Sequence, residues 1–170
     1  MAGIIQDFSG QAYSERTGVY TKVDINQQLD HALKMLGLTG PIEGLEVQKN
    51  YQPLTKIRAR SEEMVQVFLN IIKNAIQAMK GKGTVQLTTD EAEGMTVVRI
   101  SDSGPGIPQE FVPRIFDPFF TTKGPGQGIG LGLTIVRRIV LNYGGHIDVE
   151  THGNKGTTFI LTFPVSDPDT

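Results

Sequence analysis

The chain has 170 residues, enough for one ordinary domain with a flank and too few for two full-sized cores. With 16 Lys plus Arg against 18 Asp plus Glu, the net charge of −2 offers no bulk attraction for nucleic acid or an acidic membrane surface. The absence of cysteine excludes a disulfide framework, a thiolate metal site and a cysteine nucleophile, and it fits a reducing compartment.

Hydrophobic residues make up 38% and charged residues 20%, the range of a folded domain. The most apolar stretch, Met64 to Met79, is broken by Gln66, Asn70, Lys73, Asn74 and Gln77, so no membrane span of about 20 residues is expected. Met1 to Phe8 lack the basic and apolar regions of a signal peptide. A cytoplasmic location without direct membrane contact is expected.

Residues 1–21 mix Gly, Ser, Thr and charge, and read as the end of an upstream helix followed by a linker. The domain proper is expected over 22–165, with a tail at 166–170. Asp24 is placed to cap a helix with Gln27 three residues on; Ile25, Leu29, Ala32, Leu33 and Leu36 share one face, and Gly37 ends it. Leu45, Val47, Lys49 and Tyr51 alternate with polar residues and Ile57 and Ala59 follow Pro53, predicting two short strands. Ser61 opens the longest helical pattern, through Met64, Phe68, Ile72, Ala75 and Met79 to the stop at Gly81.

Thr84 to Thr89 and Met95 to Ile100 predict a hairpin around Glu91-Ala92-Glu93-Gly94. After an irregular stretch, Leu131 to Tyr143 reads as a helix, and His146 to Glu150 with Thr157 to Phe163 as a last strand pair. The fold class is an α/β (α+β) two-layer sandwich with a mixed, largely antiparallel sheet and helices on one face.

Three features carry candidate chemistry. Asn70 and Asn74, four apart on the long helix, project neutral amides from one face, suited to a structural hydrogen bond or to a Mg²⁺ ion shared with phosphate oxygens. Asp102 ends a strand just before Ser103-Gly104-Pro105-Gly106-Ile107, either as a turn residue or as an acceptor for an exocyclic amino group in an apolar slot. Gly124, Gly126, Gly128, Gly130 and Gly132 alternate into the last helix, exposing backbone N–H groups to an anion beside Lys123. No G-x-x-x-x-G-K-[ST] or G-x-G-x-x-G pattern occurs, nor the H-R-D and D-F-G set. A different ATP-binding architecture is required.

Taken in order, Asn70-Ile71-Ile72-Lys73-Asn74-Ala75, Asp102-Ser103-Gly104-Pro105-Gly106, Phe116-Asp117-Pro118-Phe119-Phe120, Gly128-Ile129-Gly130-Leu131-Gly132-Leu133 and Gly156-Thr157-Thr158-Phe159 resemble the boxes of bacterial sensor histidine kinases. The wider superfamily includes the gyrase, Hsp90 and MutL ATPases, and the Phe box and short lid are most similar to nitrogen-regulation-like members. The resemblance implies a Bergerat-type ATP-binding fold and the cofactors ATP and Mg²⁺. It implies that Asn74, assisted by Asn70, ligates the metal, that Asp102 reads the adenine amino group, and that Thr157 supports it. Gly104, Gly106 and Ile107 would shape the adenine pocket. Phe116, Phe119 and Phe120 would belong to the lid and its contact with the histidine-bearing helices. Gly128, Gly130, Leu131, Gly132 and Leu133 would line the phosphate end with Lys123.

One departure stands out. The family's phosphoacceptor histidine lies on an upstream helical hairpin, and none of the three histidines fits that role. His31, within Leu29-Asp30-His31-Ala32-Leu33, lacks the family's neighbouring acidic residue and following Asn-Pro, while His146 and His152 follow the nucleotide motifs. The chain is therefore expected to be a catalytic domain supplying Mg·ATP to a separate histidine-bearing dimerisation domain of the same protein, with a response regulator downstream. The fragment itself is expected to be monomeric and the full-length protein a homodimer. Two other readings stand beside it: a non-catalytic, nucleotide-responsive interaction module, and an anti-sigma-type serine kinase.

Overall fold

The computed structural model describes residues 19–122 and 130–165. Among them the elements run β1 (Thr21–Val23), α1 (Ile25–Met35), β2 (Leu45–Tyr51), β3 (Ile57–Ala59), α2 (Ser61–Ala78), β4 (Gly83–Ala92), β5 (Met95–Asp102), a 3₁₀ turn at Val112–Arg114, α3 (Gly132–Asn142), β6 (His146–Thr151) and β7 (Thr157–Pro164). Five strands form one sheet in the order β2-β4-β5-β7-β6. The β2–β4 pair is parallel and the other three pairs are antiparallel.

Period-two alternation decides which face of this sheet is buried. Val85, Leu87 and Thr89 of β4, Thr96, Val98 and Ile100 of β5, and Phe159, Leu161 and Phe163 of β7 are all buried beneath the helices. The central helix, α2, closes that layer with Met64, Val65, Val67, Phe68, Ile71, Ile72 and Ala75, at the helical spacing its sequence shows. The resulting two-layer sandwich, with helices on one face of a mixed, mainly antiparallel sheet, matches the fold class expected from the sequence.

The same alternation carries Asp102 onto the helix-facing side, two positions beyond Ile100. Cross-strand pairing sets Asp102 opposite Val85 on one side and Thr157 on the other, and Thr157 opposite Thr151. The apolar layer thus ends in a polar rung of Asp102, Thr157 and Thr151, near the C-terminal end of α2. Helix α3 is held to α2 at its far end by Tyr143, whose hydroxyl donates to Glu63 and accepts the Arg60 N–H at 3.0 Å. Burial, with the Glu63 carboxylate beside it, pushes the Tyr143 phenol far above its usual value.

Local signals hold well at α1, where the Asp24 side chain accepts the Gln27 N–H at 3.2 Å and Gly37 follows the last turn. Lys49, an inward position on β2, is neutralised by Asp30 of α1 at 2.7 Å, and Tyr51 donates to the same carboxylate at 3.1 Å.

The structure differs from the sequence-based expectation in two places. The β4–β5 turn is shorter than the predicted Glu91–Gly94: Ala92 pairs with Met95, leaving Glu93 and Gly94, at φ 53° and 73°, as a two-residue connection. Thr21–Val23, at the junction of the expected flank and domain and with no element expected there, form β1, which pairs antiparallel with β3 in a separate two-stranded sheet. The strands β2 and β3, consecutive in the chain, consequently lie in different sheets. Residues 1–18 and 166–170, assigned to an upstream remnant and a tail, lie outside the described residues.

Candidate functional site

A cavity of about 630 Å³ opens between α2, the end of β5, the loop after it, the start of β7 and the beginning of α3. Most residues singled out from sequence lie on its wall: Asn70, Asn74, Asp102, Gly106, Ile107 and Phe120, joined by Gly130, Leu131, Gly132, Leu133 and Thr157. Motifs nearly ninety positions apart in the chain meet around one space. Lys123 and Gly128, with Gly124, Gly126 and Ile129, lie outside the described residues.

At one end, Asp102 is built into the polar rung. Its Oδ1 accepts the Gly104 N–H at 2.9 Å, which gives Gly104 a supporting place behind the wall. Burial raises the Asp102 carboxyl above its ordinary value, while the backbone N–H groups of Gly104 and Thr157 pull it back down. The buried Thr151 hydroxyl accepts the Ile107 N–H at 2.7 Å, donates to the Gly156 carbonyl at 3.3 Å, and lies 3.3 Å from the Thr157 hydroxyl. This anchors the loop carrying Ile107 to β6. Gly156 adopts φ +84°, and a Cβ there would stand inside contact distance of the Asp102 carbonyl oxygen, so the strand pair closes against Asp102 only with glycine at this position.

At the other end, α3 begins with no side chain capping its first turn, and Gly130, Leu131, Gly132 and Leu133 line the cavity. The free N–H groups of a helix start, with the macrodipole behind them, form a positive pole suited to an anion. The Asn70 amide reaches the Gly132 carbonyl at 3.4 Å, so α2 and the start of α3 meet here. Asn70 and Asn74 are half-buried, and among the described residues no group of three His, Cys, Asp or Glu side chains is placed to hold a metal. Two neutral amide oxygens beside an anion site suit a hard cation that brings most of its ligands from phosphate and water.

The Phe box divides into three roles. Phe120 lines the cavity, its ring 5.6 Å from Phe111 and 4.7 Å from the Arg114 guanidinium. Phe119, at φ +65° and 69% exposed, projects into solvent, and its N–H donates to the Gly130 carbonyl at 3.0 Å. Phe116 lies off the cavity wall: it packs against the core, with the Arg137 guanidinium 5.7 Å from its ring, and its carbonyl accepts the Thr134 hydroxyl at 3.0 Å. Gly130 closes the neck of the loop, since a Cβ at its φ of +71° would collide with the Phe119–Phe120 backbone.

Several wall residues were given no role from the sequence. Phe111, Ile115 and Phe159 widen the apolar lining, and Lys73 and Lys80 are, with Asp102, its charged side chains among the described residues. Phe159 was legible as an inward strand position. Phe111 and Ile115 sit in irregular chain, where no periodicity marks them.

Residues 59–167 match the family model described as histidine kinase-, DNA gyrase B- and HSP90-like ATPase, and the chain belongs to that family. It is 37% identical over 161 residues to the sensory histidine kinase/phosphatase NtrB of Rhizobium leguminosarum bv. phaseoli, an alignment covering 85% of this chain and 41% of NtrB. The similarity to NtrB accords with the nitrogen-regulation-like branch. Among solved structures, the catalytic domain of histidine kinase ThkA superposes with a TM-score of 0.76 at 30% identity, covering 86% of this chain and 96% of that one. Full-length ShkA in complex with AMPPNP superposes at 0.76 and 27% identity, covering 91% of this chain and 33% of ShkA. The chain spans less than half the length of curated relatives such as NtrB. Among the described residues no helix is long and apolar enough to cross a membrane.

Proposed function

We propose that this chain is the ATP-binding catalytic domain of a two-component sensor histidine kinase, with its working domain over about residues 22–165. The observation that carries the reading is the cavity itself, which sets Asp102 in a polar rung at one end and an uncapped helix start beside two asparagines at the other. An adenine nucleotide has that same polarity, one exocyclic amino group on an apolar ring and a polyanion at the far end.

In this reading the Asp102 carboxylate accepts from the adenine amino group, Thr157 supports that contact, and Ile107 and Phe120 flank the ring. Gly104 orients the carboxylate, and Gly106, where a Cβ would meet the His152 carbonyl and the Thr151 hydroxyl, lets the loop lie close against the end of β6 and so shapes the pocket. The backbone around Gly128, Gly130 and Gly132 holds the phosphates at the α3 start with Lys123. The amide oxygens of Asn74 and Asn70 would hold Mg²⁺, which when bound neutralises charge on the phosphates. A histidine nitrogen of the separate dimerisation domain then attacks the γ-phosphorus in line, the bond to the β–γ bridging oxygen breaks, and ADP leaves. The protein's part is positioning and electrostatics. Exposed Phe119 faces the histidine-bearing helices, and a response regulator takes the phosphoryl group onward. Because ATP is an intracellular substrate, we place the domain in the cytoplasm. The fragment is a monomer, and dimerisation resides in the helical hairpin.

Calorimetric titration with Mg·ATP, with GTP and Asp102→Asn as controls, tests the nucleotide site. Saturable ATP binding that GTP does not reproduce is expected. Adding a matching histidine hairpin should then give phosphohistidine in an Asn74-dependent manner. Binding without transfer would assign a nucleotide-responsive module, and phosphoserine on a partner a serine kinase. Autophosphorylation on His31 would overturn the separate-acceptor account.

A further inference from the structure

We propose that Lys73 is a phosphate-binding cation of this cavity, meeting the terminal phosphates from the rigid α2 side. The inference rests on the nucleotide reading above and goes beyond the motif residues. Lys73 lines the cavity between Asn70 and Asn74, on a helix whose opposite face is packed into the core.

The two ends of α2 face different ends of the cavity. Asn70 reaches Gly132 at the start of α3, whereas Met79, just past the helix, lies 3.3 Å from where a Cβ on Gly104 would stand, beside Asp102. At a rise of about 1.5 Å per residue, Lys73 belongs to the Asn70–Asn74 level, whereas Lys80 lies past the C-terminal end of α2, on the Asp102 side. Of the two cavity lysines, Lys73 is thus the one beside the uncapped helix start.

Its charge has no counter-charge among the described residues. Among the described residues Lys73 makes no ion pair, and its helical neighbours Leu69, Asn70, Ile76 and Gln77 carry no charge. A free ammonium and a free helix N-terminus on one cavity are completed by a multiply charged anion. A lysine, with three rotatable donors at the end of a flexible stem, adapts to a phosphate chain without demanding one fixed geometry. Lys73 stands on a helix packed into the core, so its position is set by the fold itself.

The test compares the affinities of ATP, ADP and AMP for the wild type, Lys73→Met, Lys73→Arg and Lys80→Met, each by calorimetry. Lys73→Met is expected to weaken ATP about tenfold more than AMP, as loss of one charged hydrogen bond would. Retained AMP binding reports an intact fold and base site. Lys73→Arg should keep most of the preference for ATP, and Lys80→Met should change the ATP-to-AMP ratio by less than about threefold. An unchanged ratio in Lys73→Met, or an equal change in Lys80→Met, would overturn the assignment while leaving the nucleotide site standing. A wild-type protein that binds none of the three nucleotides would overturn the site reading, and Lys73 with it.

Discussion

The two ends of the cavity are made in different ways. The Asp102 end is the last rung of a sheet: its carboxylate, the Thr151 and Thr157 hydroxyls and the Gly156 backbone are held by cross-strand pairs across β5, β7 and β6. The α3 end is made of backbone at a helix start, a glycine neck at Gly130 and side chains from α2. The first end presents one directional acceptor in a place set by strand register. The second offers several donors of one sign, whose exact arrangement the ligand can complete. In the proposed reading, selectivity for a base belongs at the first and tolerance for a flexible polyanion at the second.

The largest expected effect separates the two ends by stability. Gly156→Ala places a Cβ against the Asp102 carbonyl at a φ of +84°, at the residue leading into β7, whose pairing with β5 cannot shift without breaking register. It should cost about 3 kcal/mol or more in chemical denaturation. Gly130→Ala strains a φ of +71° against loop backbone outside the sheet, and should cost nearer about 1 kcal/mol while lowering nucleotide affinity. Equal destabilisation would break the distinction between a sheet-built end and a loop-built one.

Next in size, Asp102→Asn should weaken ATP about tenfold or more, because the amide offers a weaker acceptor and an NH₂ group towards the base amino group. Unchanged affinity in calorimetry would remove Asp102 from base recognition. A smaller loss, about threefold to tenfold, is expected for Asn74→Ala, confined to the Mg²⁺-dependent part of ATP affinity. If the loss persists in EDTA, Asn74 acts on the nucleotide and not through the metal.

The smallest effect is a pH dependence of folding. Burial raises the Asp102 carboxyl in the folded state above its unfolded value, so ionisation costs stability as pH rises through that interval. Asp102→Asn should therefore melt slightly higher than the wild type at neutral pH, and the gain should vanish as pH falls to the ordinary carboxylate range. A gain of the same size at low pH would mean that packing, not charge, is responsible. The site thus trades a little stability for an ionised acceptor.

Much of the Asp102 end is legible in the sequence. The alternation of Thr96, Val98 and Ile100 predicts that Asp102 shares their face, and the pattern from Thr157 through Phe159 marks the partner strand. At the α3 end the glycines and the helix start were equally plain, but Lys73 was not. It reads as one more polar residue on an amphipathic helix, and only the packing of α2 against α3 turns it towards the cavity. Phe116 was grouped with the cavity by its neighbours, whereas the core claims its ring.

The sequence by itself determined the helices and the hairpins, because side-chain period, caps and glycine stops act within a few residues of one another. Tertiary structure alone decided that β1 pairs with β3, that β2 joins β4 in parallel, that Tyr143 ties α3 to Glu63 and the Arg60 backbone, and which polar residues of α2 face the cavity. Those are contacts between segments far apart in the chain. No local pattern encodes them, since each depends on which buried faces remain to be covered once the short-range elements have formed.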